Sequence, residues 1–239
     1  MRAVLCGANG AMGKLIDGIL GHEIVGRVSI DGENNVPKTF EELGMVEADV
    51  VIDFSHHTAV SDVLAYAKKI GAAAVIGTTG HTREEKTQIT AAADEIPVFF
   101  SGNMSLGIAV LCRLAKQAAA AFPDADIEIV EAHHTRKVDA PSGTALMLFN
   151  AIKEVRPESV ANCGRSGEGK RAKEEIGIHA LRLGNVVGIH EVHIHTANQS
   201  LTLKHESGSR AMLADGAVAA ARFMEGKGLG LYNMEDILG

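Results

Sequence analysis

The N-terminal part of the chain alternates regularly between short apolar segments and helical ones, with no hairpin signal between them. The apolar segments are predicted to be strands and cover residues 2–7, 24–30, 48–54, 73–76 and 97–100. Strands that are apolar along their whole length are typical of a parallel sheet that helices cover on both faces. This half of the chain is therefore predicted to be an α/β domain.

A glycine-rich turn follows the first predicted strand. Residues 7–13 read Gly-Ala-Asn-Gly-Ala-Met-Gly, and an apolar helix continues from Lys14. Glycines at a strand–helix turn allow the backbone to approach a pyrophosphate, which then binds at the helix N-terminus. The turn favours a Rossmann-type dinucleotide-binding domain, and a plain glycine turn is the alternative.

Polar or glycine-rich residues also follow the other strands, at positions 54–57, 77–80 and 101–104. Ligands of parallel sheets bind at the carboxyl ends of the strands, so these turns are expected to meet at one site. Asp31 follows the second strand, where an acidic residue commonly binds the adenosine ribose hydroxyls. An ordinary turn residue before Gly32 is the other interpretation of Asp31.

The pattern changes after a long Ala-rich helix at residues 105–122. Strands are predicted at residues 126–134, 176–184, 188–197 and 200–207, with one helix among them. The last three follow one another closely, which indicates antiparallel pairing. We predict an α+β domain with a mostly antiparallel or mixed sheet at residues 105–207, and a Rossmann-type domain made of residues 1–104 and 208–239. The polar segment 156–175 is expected to be a long mobile loop, with a lid as one possibility.

The most distinctive stretch is residues 128–145, which carries two histidines, an arginine and a lysine within five positions. These residues are His133, His134, Arg136 and Lys137. A helix start follows, with Pro141 expected at the first helical position and Ser142, Gly143 and Thr144 close to it. Unpaired N–H groups and the helix dipole attract anions there.

Cations beside such a helix start suit a small substrate with more than one carboxylate, and histidine and lysine can transfer protons. A solvated polar loop is the alternative. Ser142 is interpreted as an anion-binding residue of the helix start, not as a nucleophile, because no Gly-x-Ser-x-Gly turn is present. His193 and His195 share one face of a strand, but no third ligand is near in sequence, so we predict no metal site.

Composition limits the class of protein. The net charge is −7, which argues against general nucleic-acid binding. No apolar run approaches the length of a membrane span, and the N-terminus shows no signal-peptide pattern. Three cysteines without pairing or metal spacing fit a reducing compartment. A soluble, cytoplasmic protein without a membrane or nucleic-acid partner is expected.

The run Glu-Ile-Val-Glu-Ala-His-His at residues 128–134, continued by Lys137, Asp139 and Ala-Pro-Ser-Gly-Thr-Ala at residues 140–145, resembles the signature of the dihydrodipicolinate reductase family. The similarity extends to residues 7–13, 53–54, 77–80, 101–107 and 175–182. It implies reduction of a cyclic dicarboxylate imine by a nicotinamide nucleotide in the diaminopimelate route to lysine, by an enzyme that is usually a tetramer.

The resemblance implies roles for individual residues, beside Asp31 and Ser142, which are predicted from their positions. His133 matches the position assigned to proton transfer and Lys137 the proton donor. His134, Ser142, Gly143, Thr144 and Thr79 are expected to bind substrate. Contacts with the cofactor are expected from Gly7, Ala8, Asn9, Gly10, Ala11, Met12, Asp31, Phe54, Gly77, Thr78, Thr79, Ser101, Gly102, Asn103 and Met104.

The chain departs from the family pattern at three positions. Ala11 and His56 stand where arginine is common, and Leu183 stands where a second glycine often follows arginine. Asp31 and Glu33 add negative charge at the end of the second strand, and no cation follows before Lys38. We therefore expect NADH and/or NADPH as cofactor, with NADH favoured.

Two alternatives to the reductase stay open at this point. One is another nicotinamide-dependent dehydrogenase of an amino dicarboxylate such as aspartate, which would leave the second-domain signature unexplained. The other is a dinucleotide-binding regulator without turnover, which would not need both His133 and Lys137.

Overall fold

The computed structural model describes all residues, 1–239, in eleven strands and eight α-helices. The strands are β1 Ala3–Cys6, β2 Ile24–Val28, β3 Val50–Asp53, β4 Ala73–Ile76, β5 Pro97–Phe100, β6 Asp126–His133, β7 Val160–Cys163, β8 Glu175–Arg182, β9 Ile189–His195, β10 Ser200–Glu206 and β11 Gly230–Tyr232. The helices are α1 Ala11–Leu20, α2 Phe40–Leu43, α3 Val60–Ile70, α4 Arg83–Ala92, α5 Leu106–Ala121, α6 Gly143–Lys153, α7 Ala211–Phe223 and α8 Met234–Ile237.

The chain divides into two compact units. One consists of Met1–Ser105 and Ala211–Gly239, and the other of Leu106–Arg210. No helix combines the length and the apolar character that crossing a membrane requires.

The first unit contains a six-stranded sheet in the order β11-β5-β4-β3-β1-β2, and every pair in it is parallel. The predicted Rossmann-type parallel sheet is thus confirmed. Strands β1, β3 and β4 are buried along their whole length, as a sheet covered on both faces requires. Their side chains pack against helix residues such as Val63 and Ile89 in an aliphatic core. The short strand β11 was not predicted from the sequence, and it lies beside β5.

The turns after the strands are tied to one another by backbone hydrogen bonds. The N–H of Phe54 donates to the carbonyl of Cys6 at 3.0 Å, and the N–H of Gly77 donates to the carbonyl of Asp53 at 2.9 Å. Gly7 has a positive φ of 82°, and a Cβ at this position would overlap the carbonyl of Phe54. The close approach of these turns therefore requires glycine at position 7.

The second unit contains a five-stranded sheet in the order β10-β9-β6-β8-β7. Pairs β10–β9 and β9–β6 are antiparallel, whereas β6–β8 and β8–β7 are parallel, so the sheet is mixed. Helices α5 and α6 contribute to an aliphatic core with the buried side chains of the sheet. Ile127, Ile129, Ile178, Val192 and Leu148 are in this core.

Two expectations about this sheet are wrong. Strand β8 does not pair with β9, because β6 lies between them. Strand β6 buries Ile127, Ile129 and Glu131, and a strand so deeply buried belongs in the middle of a sheet. Segment 156–175 is also not a loop throughout, because Val160–Cys163 forms edge strand β7 beside β8.

The start of α6 differs by two residues from the expected one. Ser142 is the N-cap, Gly143 is the first helical residue, and Pro141 therefore precedes the helix. The Ser142 hydroxyl accepts a hydrogen bond from the N–H of Ala145 at 3.2 Å. A serine oxygen satisfies an otherwise unpaired N–H group of the first turn, which explains why the helix begins after this residue.

Candidate active site

Glu131 is the centre of a buried cluster at the end of β6. Its side chain has no solvent exposure. Arg182 donates two hydrogen bonds to it, both at 2.9 Å, and the N–H of Ser142 donates a third at 3.1 Å. The Nδ1 atom of His133 lies 2.5 Å from its Oε2. Burial opposes ionisation of Glu131, but the hydrogen bonds from Arg182, His133 and Ser142 outweigh it and hold its pKa below the usual value.

The position of the proton on the neutral His133 ring follows from these contacts. An ionised carboxylate can only accept hydrogen bonds, so Nδ1 of His133 must be the donor to Glu131. This leaves Nε2 as the atom of neutral His133 that can accept a proton. The arrangement of a carboxylate behind a histidine is the one by which acid–base histidines are oriented.

His133 Nε2 faces a position without a side chain. A Cβ built on Gly188 would lie 3.2 Å from this nitrogen, which is tighter than ordinary van der Waals contact. The absence of a side chain at residue 188 therefore keeps room beside Nε2 of His133.

A second histidine, His190, lies next to His133, with the ring centroids 5.1 Å apart. Its Nε2 is 3.2 Å from the Ser142 hydroxyl, and its Nδ1 is buried without a hydrogen-bond partner. Burial, and next the neighbouring charge of His133, lower the pKa of His190 to about 4. His190 is therefore neutral near pH 7, and its Nε2 shares a hydrogen bond with the Ser142 hydroxyl.

The other predicted substrate residues lie in the same unit, except Thr79. His134 follows β6, and its carbonyl accepts a hydrogen bond from the N–H of Lys137 at 3.1 Å. The Lys137 ammonium pairs with Asp139 at 2.8 Å. Gly143 and Thr144 form the first turn of α6, beside the residue that Glu131 holds. The structure thus brings His133 and the α6 start together through Glu131.

The predicted cofactor residues lie at the carboxyl ends of the parallel strands. A cavity of about 420 Å³ is lined by eight of them: Met12, Phe54, Gly77, Thr78, Thr79, Gly102, Asn103 and Met104. The buried Ser101 hydroxyl fixes the last turn, because it donates to the Asn103 carbonyl at 2.8 Å. Thr79, which was also expected to bind substrate, is exposed and lies in this first unit.

Buried Asp53 holds two of these turns together. It accepts hydrogen bonds from the Ser55 hydroxyl at 2.5 Å and from the Thr78 hydroxyl at 2.7 Å. Burial raises the pKa of Asp53, and the hydrogen bonds oppose this effect. The cavity wall formed by Phe54 and Thr78 is therefore fixed from beneath by one side chain.

A larger cavity, of about 940 Å³, lies at the ends of β1 and β2 and is lined by Gly7, Ser29 and Lys38 among others. Asp31 accepts hydrogen bonds from the Asn9 amide at 2.6 Å and from the N–H of Glu33 at 3.1 Å. Helix α1 has Gly10 as its N-cap, without a side-chain cap and without an acidic residue in the first turn. Such an uncapped helix start fits a pyrophosphate.

The expectation of NADH rests on the sequence distance between the second strand and Lys38, but the structure brings Lys38 close to the end of this strand. The Lys38 side chain lies against Gly32, so that a Cβ at this glycine would overlap it. A hydrogen bond of 2.9 Å from the N–H of Ser29 to the carbonyl of Pro37 closes the intervening loop. A cation therefore lies near the end of β2, although it is distant in sequence.

The cluster around His133 contains residues that sequence reasoning did not single out, namely Glu131, Arg182, Gly188 and His190. Glu131 and His133 are two residues apart on a strand and therefore share a face, which was an available signal. Arg182 and His190 had no such signal. They reach the cluster because His133 pairs with Arg182 across β8, and Glu131 pairs with His190 across β9.

The structure contains no group of three or more histidine, cysteine or carboxylate residues that could hold a metal ion. His193, which was considered as a ligand, contacts Glu191 at 3.1 Å and Thr202 at 3.2 Å instead.

One unit contains a parallel sheet with a glycine turn, and the other contains the buried cluster of Glu131, His133 and Arg182 beside a helix start. This combination is typical of dinucleotide-dependent oxidoreductases, and the chain falls in this class. The chain belongs to the dihydrodipicolinate reductase family. Residues 1–104 match the model of the family's N-terminus, and residues 107–238 match that of its C-terminus.

Relatives of known name agree with this assignment. The chain is 42% identical to the 4-hydroxy-tetrahydrodipicolinate reductase of Clostridium novyi, over 99% of this chain and 98% of the relative. It is 40% identical to the protein of the same name from Caulobacter vibrioides, over 100% and 97%. The dipicolinate-bound dihydrodipicolinate reductase of Paenisporosarcina sp. TG-14 has a similar structure, with a TM-score of 0.81, 26% identity and 99% coverage of both chains.

Proposed function

We propose that this protein is a 4-hydroxy-tetrahydrodipicolinate reductase, which forms tetrahydrodipicolinate with NAD(P)H in the diaminopimelate route to lysine. The observation that carries the proposal is the match of both family models, which together cover residues 1–104 and 107–238. Neither an amino-dicarboxylate dehydrogenase nor a regulator without turnover accounts for the second match.

The site supports acid–base chemistry on a dicarboxylate. Bound NAD(P)H supplies a hydride to the substrate ring. His133, with Nδ1 bound to Glu131 and Nε2 beside Gly188, is proposed to transfer a proton. Lys137 is proposed as the proton donor that completes the reduction. General acid–base groups contribute roughly a hundred- to ten-thousand-fold in rate.

One substrate carboxylate is proposed to bind at the start of α6, through the N–H of Gly143 and the hydroxyl of Thr144. The helix dipole and the Lys137 ammonium favour an anion there. Ser142, as the N-cap, holds this turn in place, and His134 is proposed as a further contact. The solved relative that contains dipicolinate is consistent with a small dicarboxylate ligand.

The cofactor is proposed to occupy the two cavities of the first unit, with its pyrophosphate at the glycine turn 7–13. NADH is expected to be used at least as well as NADPH, because Asp31 and Glu33 oppose a ribose phosphate. Lys38 offsets this repulsion in part. A preference for NADPH of about tenfold or more in kcat/KM, equal to about 1.4 kcal/mol, would contradict the expectation.

A homotetramer in the cytoplasm is the remaining part of the proposal. It rests on the family resemblance. Light scattering coupled to size-exclusion chromatography measures the assembly, and a monomer at micromolar concentration would refute it.

The decisive assay is incubation with the freshly made cyclic imine and reduced cofactor. Oxidation of the cofactor that depends on the imine, and not on aspartate, is the expected result. His133→Gln and Lys137→Ala should each lower turnover about a hundredfold or more while cofactor binding changes little. Dipicolinate should inhibit competitively with substrate, and a Thr144→Val, Lys137→Ala double variant should bind it more weakly. Wild-type turnover in either single variant would refute the assignment.

A further inference from the structure

We propose that Glu131 and Arg182 form a positioning pair that sets both the proton-transferring nitrogen of His133 and the start of α6. The proposal rests on the proposed function in so far as His133 transfers a proton. It adds two residues that are not expected to touch the substrate but determine how the site works.

Four hydrogen bonds converge on the carboxylate of Glu131. Arg182 occupies both oxygens of Glu131, His133 donates to one of them, and the N–H of Ser142 donates to the other. Planar arginine matches a carboxylate in this two-point geometry, which fixes the orientation of the carboxylate plane. The orientation of Glu131 in turn fixes the His133 ring.

Arg182 also balances the negative charge of Glu131. A fully buried carboxylate is costly unless it is paired and hydrogen-bonded. Arg182 supplies the pairing, so that Glu131 stays ionised and acts only as an acceptor. Arg182 also donates to the carbonyl of Asp139 at 2.5 Å, which ties the segment before α6 to the same guanidinium.

The charged and titratable groups around His133 favour a positioning role for Glu131 and Arg182. Glu131 lies on β6, Arg182 on β8 and His190 on β9, and His134 is the next residue in the chain. His190 is neutral near pH 7 because it is buried, so it adds no positive charge beside His133, whereas the Glu131 carboxylate places a negative charge next to His133 Nδ1. Loss of this charge would disfavour protonated His133.

The chain offers a matched control on the opposite face of the same strand. Glu128 contacts Arg171 at 3.1 Å and His179 at 2.9 Å, and therefore has the same types of partner as Glu131. The cluster of Glu128 is partly exposed and does not include His133 or the start of α6. Glu128→Gln makes the same chemical change as Glu131→Gln, but it should leave proton transfer by His133 unchanged.

The test compares Glu131→Gln, Arg182→Lys, Arg182→Met and Glu128→Gln in the full-length protein. In Glu131→Gln we expect kcat to fall about a hundredfold, while KM for the cofactor changes less than about threefold. The pH profile of kcat should differ from that of the wild type, because the negative charge beside His133 Nδ1 is lost. Arg182→Lys keeps a positive charge and should retain more activity than Arg182→Met. Glu128→Gln should match the wild type in all three measurements.

A measurement on the wild-type protein decides the matter even where Glu131→Gln does not fold. Nitrogen-15 NMR of the imidazoles, with His133 assigned by its absence in His133→Gln, should show neutral His133 protonated at Nδ1. Protonation at Nε2 instead, or a folded Glu131→Gln variant with an unchanged pH profile, would overturn the positioning role. If the wild type fails to reduce the imine, the proposed function fails, whereas the NMR result still decides how His133 is held.

Discussion

The buried neutral histidine His190 should make the second unit sensitive to mild acid. An ordinary histidine has a pKa of 6.5, whereas burial lowers that of His190 to about 4. The unfolded chain therefore binds a proton at a pH where the folded chain does not. Stability is complete well above pH 6.5 and is lost as the pH falls from there towards 4.

The magnitude follows from the two pKa values. Their difference corresponds to roughly 3 kcal/mol once both states have been protonated. Between about pH 7 and pH 5 the folded protein should lose about 2 kcal/mol of its unfolding free energy through this residue alone. Glu131 does not affect the slope between about pH 7 and pH 5. Its pKa lies below the usual 4.5, so its contribution to the unfolding free energy is lost only at lower pH.

The assay is urea unfolding of the wild type and of His190→Gln, followed at several pH values between about 7 and 5. Glutamine keeps a hydrogen bond to Ser142 available but does not titrate. The variant should show a smaller slope of unfolding free energy with pH, whatever its absolute stability. His22→Gln, at an exposed position, serves as the control and should keep the wild-type slope. Equal slopes in the wild type and His190→Gln would refute the reasoning.

Three other substitutions test separate features of the structure. Gly188→Ala places a methyl group 3.2 Å from His133 Nε2 and should lower kcat about tenfold; Gly208→Ala, which meets nothing within 4 Å, should not, and equal rates in the two variants would contradict the close approach. Ser142→Ala removes the N-cap of α6 and should lower the unfolding free energy by about 1 kcal/mol, as measured with urea; an unchanged midpoint would argue against the cap. Lys38→Met should reduce kcat/KM with NADPH at least threefold more than with NADH, and an equal reduction would exclude contact with the ribose phosphate.

Much of the fold could be predicted from local patterns. Continuously apolar strands such as Val50–Asp53 indicate a parallel sheet because both faces must be covered. The glycine turn at residues 7–13 indicates a dinucleotide site because only glycine allows the backbone to approach so closely. The run from Glu128 to Ala145 resembles the family signature, and this is visible in the sequence because its residues are close together in the chain.

The order of the strands in the second sheet could not be predicted in this way. A short connection between β8 and β9 favours a hairpin, yet β6 lies between them. Burial of a whole strand depends on what packs against both of its edges and faces, and this is a property of the complete sheet. The same reason explains edge strand β7, whose residues gain their hydrogen bonds only from β8.

The candidate site shows the same division. The sequence by itself predicted His133, Lys137 and the helix start as candidates, because they are neighbours in the chain and their chemistry is evident from residue type. Only the tertiary structure decided what surrounds them, since Arg182 and His190 reach Glu131 through strand register. Lys38 likewise returns to Gly32 through the closure of a loop. Contacts between residues distant in sequence depend on how the whole chain packs, and no local pattern encodes them.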